Sequence, residues 1–157
     1  MALVSYPSGL PIPLQEGYQN RHVSPMQRTE FSSGRSRNRR RFTSVPTMVP
    51  ISLLMSQGQA QAFEVWFAAS SEYGGINDGT DWFYTKLRTP MGIKPYEVRF
   101  TDMYEGPDLV AGRYWRFSAE LEIRERQILP REWALTPELV MGSSIIDKAI
   151  NREWPKE

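Results

Sequence analysis

The chain contains no cysteine and only one histidine, His22. These absences exclude a disulfide framework, an iron–sulfur cluster and a cysteine nucleophile, and they leave too few nitrogen and sulfur ligands for a structural zinc site. His22 follows Arg21 with no serine or second histidine placed to work with it, so a Ser-His-Asp triad has no basis either. A dominant charge is also missing. The 19 Lys and Arg against 18 Asp and Glu give a formal charge of +1, so any attraction to nucleic acid or an anionic membrane must come from local clustering. Pro7, Gly9, Pro11 and Pro13 interrupt the opening apolar residues, so no signal-peptide core or membrane span is expected there. The expectation is a soluble protein used without export, with no membrane partner. Phosphate-cradling G-x-G-x-x-G and G-x-x-x-x-G-K motifs are absent, and no internal repeat is visible.

What is present fits one domain. A chain of 157 residues with 40% hydrophobic and 24% charged side chains can fill one core and keep its surface hydrated. Residues 1–27, with Pro7, Pro11, Pro13 and Pro25 and no sustained period, read as an extended N-terminal arm outside the core. Phe42, Thr43, Ser44 and Val45 have strand-forming side chains, which predicts a strand over Arg39–Val45. Pro46 and Pro50 then demand an edge position or a break, and two short strands are expected in place of one long one. From Ser56 to Ser70 the period changes. Ala60, Phe63, Phe67 and Ser70 recur at spacings of three and four, Trp66 widens the stripe, and Ser56 is a candidate N-cap. A helix is predicted over 56–70, ended by the turn chemistry of Tyr73-Gly74-Gly75 and Asn77-Asp78-Gly79.

Further on, Asp81–Arg88 and Tyr96–Asp102 flank the turn Pro90-Met91-Gly92 and read as a hairpin. Glu105-Gly106-Pro107-Asp108 and Ala111-Gly112 read as loops. Residues 114–124 alternate most cleanly, with Trp115, Phe117, Ala119, Leu121 and Ile123 on one face and Arg116, Ser118, Glu120, Glu122 and Arg124 on the other. After Gln127 the pattern weakens into a C-terminal arm, 127–157, with a short helix expected near 143–151. The sum is a mainly β domain over 28–126 with one flanking helix, built as a β-sandwich or open barrel and carrying arms at both ends.

Few residues suggest chemistry. Asp78 and Asp81 flank a glycine turn but lack the ligand alternation of a calcium loop, so turn formation explains them. Glu120 and Glu122 share a strand face like a glycosidase pair, yet Arg116 and Arg124 bracket them, which points to cross-strand ion pairs. No catalytic residue, cofactor or metal ligand is therefore assigned. The arginine cluster Arg35, Arg37, Arg39, Arg40 and Arg41 has functional content. Arg37, Arg39 and Arg41 would share one face of an extended segment, able to grip phosphates or to pair with carboxylates across a subunit contact. From Ser71 onward 12 basic residues face 15 acidic ones, so another copy of the chain could neutralise the cluster. Trp133 and Trp154 lie in the C-terminal arm and need burial, either on their own domain or on a neighbouring subunit. Subunit contact through these residues is the leading reading, and nucleic-acid binding through Arg35–Arg41 the alternative.

The order of elements carries a resemblance. Gly17-Tyr18-Gln19, a strand leading into an amphipathic helix, a glycine turn, Tyr96-Glu97-Val98-Arg99-Phe100 and the run from Trp115 to Ile123 together resemble the minor tail proteins of tailed bacteriophages. The likeness is to the lambda tail-tip protein M and distal-tail family, and it spans roughly Gly17 to Arg126. It implies a tail-tube-like fold repeated in a ring, commonly of six copies, that joins the tail tube or connector to the tail-tip hub. It also implies a mechanical role without catalysis, neighbouring tail proteins as partners, DNA contact only in transit, and a place in the virion tail after assembly in the host cytoplasm. The N-terminal arm and the extension beyond Gln127 exceed the compact family pattern, which leaves a short-tail tube or head-to-tail adaptor position open.

Overall fold

A computed structural model describes residues 4–14, 19–126 and 128–143. The chain divides between Gln127 and Ile128 into two compact units. Among the described residues the larger one holds nine strands in the order β1 (Val4–Ser5), β2 (Arg21–His22), β3 (Met26–Glu30), β4 (Ser36–Arg40), β5 (Thr47–Met55), β6 (Phe83–Thr89), β7 (Gly92–Phe100), β8 (Glu105–Val110) and β9 (Tyr114–Ile123). Helix α1 (Gln57–Ala68) follows β5. Seven strands form one mixed sheet in the order β1-β6-β7-β9-β5-β2, with β8 also on β9, while β3 and β4 form a separate two-stranded ribbon. The described chain is mainly β, and neither sheet closes on itself.

The helix forms where its period places it. The Ser56 hydroxyl accepts from the Gln59 N–H while the Gln59 side chain accepts from the Ser56 N–H, a reciprocal capping box. Ala60, Phe63, Trp66 and Phe67 are its buried stripe. Their rings meet the sheet directly: Phe63 on Phe117, Trp66 on Phe83 and Phe67 on Phe100, each pair with centroids 5.1 Å apart. The carbonyls at the end of α1 are satisfied by the returning turn, since the N–H groups of Ile76, Asn77 and Asp78 donate to Trp66, Ala69 and Phe67 oxygens. Gly79, at φ 81°, lets that turn press against the sheet, because a Cβ there would sit 2.9 Å from Phe67 and 3.2 Å from the Phe100 Cβ. The other face of the sheet is charged, and Arg99–Glu122, Arg124–Glu97 and Arg21–Glu120 pair across its strands.

Several expectations need correction. The strand expected over Arg39–Val45 ends at Arg40, because the segment pairs backward with β3 and not forward into the sheet. Proline does not divide β5, which pairs with β9 over its whole length from Thr47↔Ile123 to Met55↔Trp115. The Leu14 N–H donates to Ser52 O at 2.8 Å, so the polar groups of Ser52 face away from β9. Those of Pro50, two residues earlier, face the same way, and its missing N–H costs the ladder nothing. Residues 105–108, expected as a loop, belong to β8, which adds to β9 with a register shift between Glu105 and Asp108. All of β8 but its last residue is exposed, so no apolar alternation marked it.

The arm expected over 1–27 also contributes to the core. β1 pairs in parallel with β6, Tyr6 sets its ring edge to face with Trp66 at 5.4 Å, and Leu10 is buried. An extended proline-rich segment has no period to reveal such packing. In the smaller unit Arg131–Leu135 form a 3-10 turn and residues 137–143 are helical. The helix expected near 143–151 lies outside the described residues except for Ser143. Among the described residues no helix is long and apolar enough to cross a membrane.

Candidate interaction surface

The arginine cluster forms one strand and the turn of the β3–β4 ribbon. Gln27 pairs with Arg39 and Thr29 with Arg37, while Met26, Arg28 and Glu30 pair with Arg40, Asn38 and Ser36. Phe31 and Arg35 close the hairpin, the Phe31 N–H donating to Arg35 O at 2.9 Å, and Gly34 takes the left-handed φ of 77° that its tight turn requires. Residues opposite one another in an antiparallel pair share a face. Arg37 and Arg39 therefore stand on one face with Gln27 and Thr29, and Arg35 and Arg41 continue the alternation at either end. No carboxylate lies on that face. Glu30 is on the other one, 3.4 Å from Arg28, with Arg40.

Every residue of the two strands except Gln27 is exposed. The ribbon is thus held by its own ladder, by Arg41 and Phe42 N–H groups donating to Pro25 O, and by few side-chain bonds. Arg39 donates to Gln27 Oε1 at 2.8 and 3.2 Å, Arg40 donates to the Phe42 and Thr43 carbonyls, and the Arg41 guanidinium lies over the Phe42 ring. Among the described residues none of the five cluster arginines meets a carboxylate. Met26, Phe31 and Phe42 add exposed apolar surface to the ribbon and its flanks.

The remaining candidates lie elsewhere. Trp133 sits in the 3-10 turn of the smaller unit with 44% of its surface exposed, and Trp154 lies outside the described residues. Glu120 and Glu122 are held by Arg21 and Arg99, the ion-pair arrangement that the bracketing arginines suggest. His22 hydrogen-bonds the Thr47 hydroxyl through Nδ1 at 2.8 Å, and no group of three or more His, Asp or Glu converges among the described residues. Tyr104 meets Phe63, Phe67 and Phe117 edge to face, and burial, followed by the adjacent Glu64 carboxylate, raises its phenol above the ordinary value.

What sequence reasoning missed is β3, the other half of the ribbon. Met26-Gln27-Arg28-Thr29-Glu30 is polar on both faces and has no burial pattern to read. The Ser32-Ser33-Gly34 turn just before the cluster is its available signal. Compared with protein-family models, curated proteins and solved structures, the chain matches none.

Proposed function

We propose that this chain is a structural protein of a bacteriophage tail that works by assembling with copies of itself and with neighbouring tail proteins. The observation that carries the reading is the β3–β4 ribbon, an exposed two-stranded arm whose cluster arginines meet no carboxylate among the described residues. A ribbon of this length is marginal by itself. Guanidinium forks aligned on one face are suited to carboxylates supplied by a partner. In this reading the open sheet and its helix are a tail-tube-like unit, and neighbours in a ring, six in the family resembled, supply the second layer that would complete a sandwich or barrel. The ring joins tube or connector to hub, and the role is mechanical, in a virion tail assembled in the host cytoplasm.

A second reading has support from the same face. Alternate residues of a strand are about 6.6–6.8 Å apart, so Arg35, Arg37, Arg39 and Arg41 form a cationic row able to track a phosphate backbone. Light scattering of the purified full chain across concentration and salt, with and without DNA, separates the two. A discrete multimer without DNA, or assembly only with other tail proteins, is expected. A monomer that changes mass only on adding DNA, and reverts at high salt, would replace the tail reading with nucleic-acid binding.

A further inference from the structure

On one side the large sheet ends in β6, and β1 covers only its start. Val4 and Ser5 pair with Phe83 and Tyr84, and the Tyr6 N–H donates to Tyr84 O at 2.8 Å. That bond sets the backbone polar groups of Tyr84 on the side away from β7. Direction repeats every second residue in a strand, so those of Lys86 and Arg88 point outward as well. No described residue pairs with them. Beside this open edge lies a groove of about 480 Å³, lined by Ile12, Pro13, Leu14, Leu87 and Ile93 with Lys86 and Arg88 at its margin. Ile12 and Ile93 are 63% and 62% exposed. An open edge next to an apolar groove is suited to an extended segment, because the edge bonds its main chain and the groove takes alternate side chains.

We propose that this groove receives the segment beginning at Ile128 of a second copy of the chain. The segment opens in a non-helical stretch, 128–130, and its Ile128, Leu129, Trp133 and Leu135 all leave large apolar surfaces uncovered. A unit this small cannot bury such groups within itself. Over 128–143 Glu132 and Glu138 outnumber Arg131, so the segment is net negative and complements the Lys86 and Arg88 charges at the groove margin. Ile128 and Leu129 bond along the Lys86–Arg88 edge, and Trp133 anchors the contact against the groove isoleucines and leucines. The contact rests on the reading that copies assemble, but it uses a surface separate from the ribbon.

Because the chain has no cysteine, introduced thiols report on this contact alone. Full-length Ile93→Cys and Trp133→Cys proteins are mixed and oxidised, and a disulfide joining one copy of each is expected. A double variant that cross-links only within single chains at every concentration would overturn the proposal, since the segment would then lie on its own groove. Two further variants, Ile93→Asp and Trp133→Ala, are each expected to lose at least tenfold in self-association. Their mixture should recover a one-to-one complex, because one intact segment and one intact groove remain. A wild-type multimer that neither substitution weakens and neither thiol pair links would discard the groove and leave assembly through the ribbon standing. A wild-type chain that is monomeric throughout would discard the groove contact between copies and leave the ribbon to contacts with other tail proteins.

Discussion

Reversing the charge of Arg37 and Arg39 together separates a role in assembly from a role in folding. Both side chains stand on the exposed face of the ribbon, and the bonds from Arg39 to Gln27 are the side-chain hydrogen bonds at stake. An exposed hydrogen bond of this kind contributes about 0.5–1 kcal/mol, and surface substitutions otherwise stay within about 0.5 kcal/mol. For a domain of this size that predicts a fall in Tm of less than about 6 °C. The effect on assembly is larger. Each arginine bonded to a partner carboxylate would contribute about 1.5–3 kcal/mol, so losing two removes about 3 kcal/mol or more, and 1.4 kcal/mol is a factor of ten. Arg37→Glu/Arg39→Glu should therefore weaken association roughly 100-fold while the thermal transition stays cooperative. Sedimentation across concentration, paired with a thermal melt, measures both. A large drop in Tm would mean the ribbon supports the core, and an unchanged association constant would refute the interface.

Two further predictions concern the core. Phe63 is fully buried and meets Trp66, Phe67, Tyr104 and Phe117, so Phe63→Ala should cost about 3–5 kcal/mol in urea unfolding; a loss below about 1 kcal/mol would mean that the helix does not seal the sheet. Burial raises the Tyr6 phenol above its ordinary 10.0, and its hydroxyl donates to Pro11 O at 3.0 Å. Above pH 10 the unfolded tyrosine ionises while the folded one keeps its proton, so stability is full below that pH and falls as pH rises. Tyr6→Phe should lose about 1 kcal/mol at neutral pH from the missing bond and show a shallower alkaline decline, and identical alkaline slopes in the two proteins would contradict the burial.

Elements with one wet and one dry face were legible in the sequence. Helix α1 and β9 announced themselves through Phe63, Trp66 and Phe67 at helical spacing and through Phe117, Leu121 and Ile123 in alternation, because their burial follows the periods that the backbone imposes. β8 and β3 did not, since strands exposed on both faces carry no such pattern. Pro50 misled for another reason. Its consequence depends on which way a missing N–H points, and only the Leu14–Ser52 bond fixes that direction. The groove was invisible because Ile12 and Leu14 meet Leu87 and Ile93 only after the N-terminal segment has crossed from β6 to β5.

The placement of proline and of open backbone on the sheet then bears on how copies would join. The β5 edge is blunted by Pro50 and covered at Ser52 by Leu14, and β8 carries Pro107 at its register shift. Lys86 and Arg88 in β6 keep outward polar groups beside an apolar groove, with positive side chains that discourage indiscriminate strand pairing. In the proposed contact a groove on one copy meets a different segment on the next. Such a contact is satisfied in one of two ways: two copies exchange segments about a two-fold axis, or the contact is heterologous and propagates until a rotation brings the last copy to the first. A ring follows if that rotation closes, and a filament if it does not. In either case a mixture of groove and segment variants keeps one productive contact and should stop at two copies, so it is the wild-type mass that separates the exchanged pair, which also stops at two, from the ring, which does not.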